Sequence, residues 1–155
     1  MQTRNLCLLL AMTVALPLGG CGNGKVMEAE VMPVAIVSQI TGDEPAFKEM
    51  GHHVINSAEE LAALGSAKLA EQEIDFSANS LIVVTVGEQP AAGFWVQITG
   101  IQQKGDDVFI QATVNQPDGG EAGDGSHAYA AAVTAKVSGN AILEPTSVTG
   151  QAAPN

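Results

Sequence analysis

The spacing of apolar residues changes several times along the chain, and each change marks an element. Leu81-Ile-Val-Val-Thr-Val86 is apolar at nearly every position, the pattern of a central strand covered on both faces. Phe94-Trp-Val-Gln-Ile-Thr99 alternates instead, with Phe94, Val96 and Ile98 on one side and Trp95, Gln97 and Thr99 on the other, as a half-buried strand does. Val108, Ile110, Ala112 and Val114 share one face of another strand. Val34–Ile40 is β-branched and predicts a first strand, with a further short one at Val54-Ile55. Ala128–Val137 is Ala-rich, but Val133, Thr134 and Val137 tip it toward strand rather than helix. Thr41-Gly-Asp-Glu-Pro45 reads as a turn.

A helical signal stands at Ser57-Ala-Glu-Glu60, which matches a capping box. Leu61 and Leu64 follow on one face, Gly65 offers a stop, and a weak continuation runs over 67–73. So short a helix must pack on something to persist. The order predicts a mainly β fold with one short α-helix, packed as a small antiparallel β-sandwich or half-barrel. From Pro145 onward the residues are small and polar, and the tail 146–155 is expected to fray.

The first residues follow a different logic. Arg4 is followed by an apolar run of thirteen residues, Leu6–Leu18. This is shorter than the roughly 20 residues needed to span a bilayer, and has the length of a signal-peptide core. Leu18-Gly19-Gly20-Cys21 then resembles the lipobox of bacterial lipoproteins. The chemistry explains the pattern, since a thiol can be alkylated and small residues give a peptidase access. The resemblance implies cleavage before Cys21, which then carries a thioether-linked diacylglycerol and an N-acyl chain. Several chains anchor stably where one does not. Residue 22 is Gly rather than Asp, which resembles the default sorting to an outer membrane. The expected organisation is a signal peptide over 1–20, a lipidated tether over 21–33, one β-rich domain over 34–145 and a tail.

Composition narrows the remaining classes. Six Lys+Arg stand against 17 Asp+Glu, for a net charge of −11. Removing 1–20 takes away only Arg4, leaving 5 − 17 = −12. An acidic chain of this kind is a poor partner for nucleic acid, where Lys and Arg must displace counterions. Both cysteines, Cys7 and Cys21, fall in or at the edge of the leader. The folded part therefore holds no thiol, which excludes disulfides, thiol catalysis and thiolate metal sites.

The most informative internal segment runs from Asp75-Phe-Ser77 through the apolar strand to Gly87-Glu-Gln-Pro90-Ala-Ala-Gly93-Phe94-Trp95. Pro90 suits the second position of a turn and Gly93 a position of positive φ. Together with Ser57-Ala-Glu-Glu-Leu61, a polar Asp106-Asp107 turn and a strand ending near Gln116-Pro117, this order resembles the PrcB-type domain of bacterial lipoproteins. The likeness covers about residues 50–138, and departs from the family where Ala91-Ala92 replaces the usual Thr-Gly. It implies a non-enzymatic module that stabilises or assists a partner protease, with Pro90, Gly93, Phe94 and Trp95 in the contact. A second likeness is to the Asn-Pro-Thr-Thr-Gly loop of chagasin-type inhibitors of papain-like proteases, with Gly119–Gly123 as a further Gly-rich loop. That likeness lacks the Asn and both Thr residues.

Other chemistry is thin. His52 and His53 are adjacent, so on a strand they point to opposite faces, which suits no shared metal. Asp118, Glu121 and Asp124 lie in a Gly-rich stretch without EF-hand spacing, and read as an acidic loop. No nucleophile elbow, phosphate loop or His-Glu-x-x-His occurs. The expectation is an envelope lipoprotein with no cofactor or metal beyond the lipid on Cys21. Its expected partners are the membrane and an envelope protein.

Overall fold

The computed structural model describes residues 29–118 and 122–150. Leu18, Gly19, Gly20 and Cys21 lie outside the described residues, as do Glu121 and the last five positions. In chain order the strands are β1 (Val31–Pro33), β2 (Ile36–Asp43), β3 (Met50–Ile55), β4 (Asn79–Val86), β5 (Gln89–Ala91), β6 (Trp95–Lys104), β7 (Asp107–Gln116), β8 (Ala122–Ser126), β9 (Ala128–Ala135) and β10 (Asn140–Thr149). Two helices, α1 (Ala58–Ala63) and α2 (Ala67–Ala70), stand between β3 and β4.

The strands form two four-stranded sheets, ordered β1-β6-β7-β10 and β2-β9-β4-β3, and a small β5-β8 ribbon. The large sheets pack face to face and do not close into a barrel, so of the two expected architectures the chain adopts the sandwich. Ile82, Val84, Val86, Ala130 and Ala132 from one sheet meet Val96, Ile98, Ile101, Val108 and Ile110 from the other. The opposite side of the first sheet is covered too, because Leu81, Val83 and Ala131 pack under Phe47, Leu61 and Leu69. Three layers result, and they explain why β4 is apolar without alternation. They also explain the alanines of β9, whose small side chains let layers approach on both faces.

One large residue interrupts those alanines. Tyr129 is fully buried and stacks at a tilt on Phe47, with ring centroids 4.8 Å apart. Its cross-strand partner is Gly42, where a Cβ would sit 2.7 Å from the tyrosine ring. Glycine at 42 thus leaves the space that the ring fills.

The helix start follows the capping-box expectation. Ser57 Oγ accepts from the Glu60 N–H at 3.2 Å, and the Glu60 carboxylate accepts from the backbone N–H of Asn56 at 2.6 Å. The weak continuation is a separate helix, α2, capped by Ser66, so the chain has two short helices rather than one.

Four expectations are corrected. The tail is not frayed through 149: β10 runs to Thr149 and pairs with β7 over ten residues. That pairing is parallel, whereas the other strand pairs are antiparallel. The last residues of the expected tether, Val31–Pro33, are strand β1, paired with Gln102–Lys104. Thr41–Asp43 belong to β2 rather than to a turn, which falls at Pro45-Ala46. Pairing explains each correction, since a neighbouring strand supplies backbone partners that local composition does not reveal.

Candidate functional site

β3 and β10 are the terminal strands of the two sheets on the same side of the sandwich. At one end they are fastened together, His52 Nε2 lying 3.1 Å from the Ala141 carbonyl oxygen. Toward Met50 and Ser147 the edges part and leave a cleft of about 160 Å³. Val84, Val86 and Val114 line it, with Phe94 at one end and Met50, Leu143, Pro145, Gln116 and Ser147 around it. The surface is mainly apolar. Thr85 and Gln89 also line it, but both side chains are engaged: Thr85 Oγ1 donates to Glu49 O at 2.7 Å and Gln89 Nε2 to Val86 O at 2.7 Å.

One of the four residues expected at a contact surface, Phe94, lines the cleft, and the turn before it puts it there. Gly93 has φ +94, a conformation open mainly to glycine. It turns the chain from the β5 segment into β6, against Pro117. Phe94, next along, is half-buried, packs against the inter-sheet core and lines the cleft. Trp95 begins β6 opposite Asn115, on the other face of the strand from its neighbour. Pro90 is not in a turn: it is exposed within β5, which pairs with β8. The structure therefore brings Phe94 to the cleft and leaves Pro90 and Trp95 outside its lining.

A second concavity, of about 310 Å³, lies on the helical side between Phe47, Lys48, Glu49, His53, Ala63 and Leu64. Partial burial first, and the neighbouring His52 second, hold the His53 imidazole below its ordinary pKa. His52 faces β10 while His53 faces this concavity, so the pair is split as their adjacency predicts. No cluster of three or more metal-ligating side chains occurs among the described residues, and no helix there is long and apolar enough to cross a membrane.

Of the other lining residues, Val114 is expected from the sequence only as a core-facing strand position and Pro145 only as the start of a tail, while Met50, Leu143 and Ser147 carry no sequence signal of a site. A signal of a strand existed in Ala141-Ile-Leu143, a short apolar run before Pro145, and it was obscured by the polar residues that follow. No protein-family model matches the chain, and no curated protein or solved structure matches it significantly.

Proposed function

We propose that the protein is an envelope lipoprotein, anchored through acylated Cys21, whose β-sandwich binds another envelope protein at the cleft beside Phe94. The cleft carries this reading: it is apolar and sits where two terminal strands part. Its volume of about 160 Å³ is below the roughly 300–1,000 Å³ typical of small-molecule sites. A single large apolar side chain of a partner suits it better than a substrate. The adjoining edges of β3 and β10 also offer backbone groups to an extended segment, the basis of recognition by strand addition. The work is stoichiometric binding without catalysis. By its resemblance to PrcB-type domains, the partner class is a protease that the complex stabilises.

Affinity purification of the full lipidated chain from detergent-solubilised envelopes tests this. The native protein should retain a discrete envelope protein, and Ser147→Arg, which places a cation at the mouth of the cleft, should lose it while folding normally. Equal retention by both would refute the proposal.

A second reading, inhibition of a papain-like protease, is favoured by one observation. β5 pairs with β8, Gln89 lying opposite Ser126 and Ala91 opposite Ala122. The short strand that carries Pro90 therefore lies beside the end of the Gly-rich segment, the juxtaposition of two segments that a two-loop inhibitor uses. Papain activity left intact by a large molar excess of the protein dismisses that reading.

A further inference from the structure

Val31-Met-Pro-Val-Ala-Ile-Val37 is apolar at every position, and residues 31–42 carry no charge in a chain of net charge −11. Such a run is ordinarily core. Here Val34 alone of the seven packs against the inter-sheet core, its N–H donating to Ile101 O at 2.9 Å. Val31, Met32, Ile36 and Val37 are 48, 56, 36 and 69 % exposed. Among the described residues Met50 is the other large exposed hydrophobic, so the rest fall on this one strap.

The strap is also an edge twice over. β1 is terminal in one large sheet and β2 in the other, and the chain passes between the sheets at Val34-Ala35. Exposed edges are usually guarded by charges, by proline or by bulges that turn the edge away. Pro33 is present, but charge is absent. The register shift between Ile36 and Ser38 leaves Val37 as the extra residue of a β-bulge. A bulge re-aims side chains, and the one at its centre is the most exposed apolar residue of the set.

We infer that this strap lies against the bilayer that holds Cys21, with Val31, Met32, Ile36 and Val37 entering the boundary between headgroups and acyl chains. The inference rests on the lipoprotein reading of Cys21. Nine residues lie between Cys21 and Val31, a reach of at most about 35 Å for an extended chain, so the acyl anchor keeps the strap close to lipid. The uncharged stretch between Glu30 and Asp43 is suited to that surface, because it presents no carboxylate to anionic headgroups. Peripheral binding of this kind scales with the apolar area buried. The opposite edge, β3 and β10, is then directed away from the membrane, leaving the cleft accessible.

The test uses the full lipidated chain in phosphatidylcholine vesicles with and without brominated acyl chains. Val37→Cys or Thr146→Cys carries a bimane label. Acylated Cys21 is a thioether, so the introduced thiol is the reactive one, and mass spectrometry of the N-terminal peptide reads the lipid in parallel. Acylated Cys21 with bromine-dependent loss of fluorescence at position 37, and none at 146, is the expected result. Acylated Cys21 with no quenching at 37 overturns the inference and leaves the anchor standing. An unquenched label at 37, with the unlabelled Val37→Cys chain oxidised by copper phenanthroline to a disulfide-linked dimer, overturns it in favour of edge-to-edge dimers. A free thiol at Cys21 overturns both the inference and the anchor.

Discussion

Gly139 is the hinge on which β10, and one wall of the cleft, depends. Its φ is +118, in the region that disfavours any L side chain, and a Cβ there would overlap the Asp106 carbonyl oxygen. That oxygen accepts the Asn140 N–H at 2.8 Å, next to the first register pair of β10 with β7. In Gly139→Ala the backbone conformation costs about 1–2 kcal/mol. Displacing the carbonyl weakens a hydrogen bond worth about 1 kcal/mol, and residual overlap adds to this. The expected loss is about 2–4 kcal/mol, which at a urea slope of about 2 kcal/mol/M lowers the unfolding midpoint by about 1–2 M. Urea denaturation followed by far-UV circular dichroism measures it, with the exposed neighbour Ser138→Ala as control. A midpoint for Gly139→Ala equal to that of the control would refute the claim that the turn is pinned against Asp106.

Other outcomes follow from the same packing. Leu69 is fully buried although its helix has four residues, so Leu69→Ala should cost about 2–5 kcal/mol, read by the same titration; a loss like that of a surface substitution would mean the helical layer is not core. Met50 is 68 % exposed at the cleft, so Met50→Glu should leave stability within about 0.5 kcal/mol while abolishing partner retention in the affinity purification. His53 sits below its ordinary value of 6.5; well above 6.5 it is neutral in both states, and as pH falls through 6.5 the unfolded chain takes the proton first, so stability is lost until the folded-state pKa is passed. The difference in Tm between the native protein and His53→Gln should therefore change in that window and stay constant well above it.

How far the sequence carries depends on whether a feature is local. β6 and β7 are visible because burial of one face imprints a period of two. β4 and β9 are visible because burial of both faces leaves an unbroken run of apolar or small residues, and the helix start because Ser57 and Glu60 act within one turn. β10 is not, because its pairing partner is distant. Leu143 is apolar, but Glu144, Pro145, Thr146 and Ser147 look like a tail. Proline is tolerated there because β10 is terminal in its sheet, where one side of the backbone needs no ladder partner. The cleft was legible only through Phe94, flagged by its place after Gly93. Its other walls come from β3, β4, β7 and β10, and no local pattern announces that two edges will part. The resemblance of Leu18–Cys21 to a lipobox is the reverse case, since the chemistry it implies is linear and requires no fold.

The central claim is that the cleft between β3 and β10 is occupied by a partner in the cell. A photo-crosslinking residue at position 50, on the exposed side of β3, tests it most directly in intact cells. The account predicts one discrete adduct with an envelope protein, lost when Ser147→Arg is introduced in the same chain. Adducts absent from the native chain, or unchanged by Ser147→Arg, would contradict it.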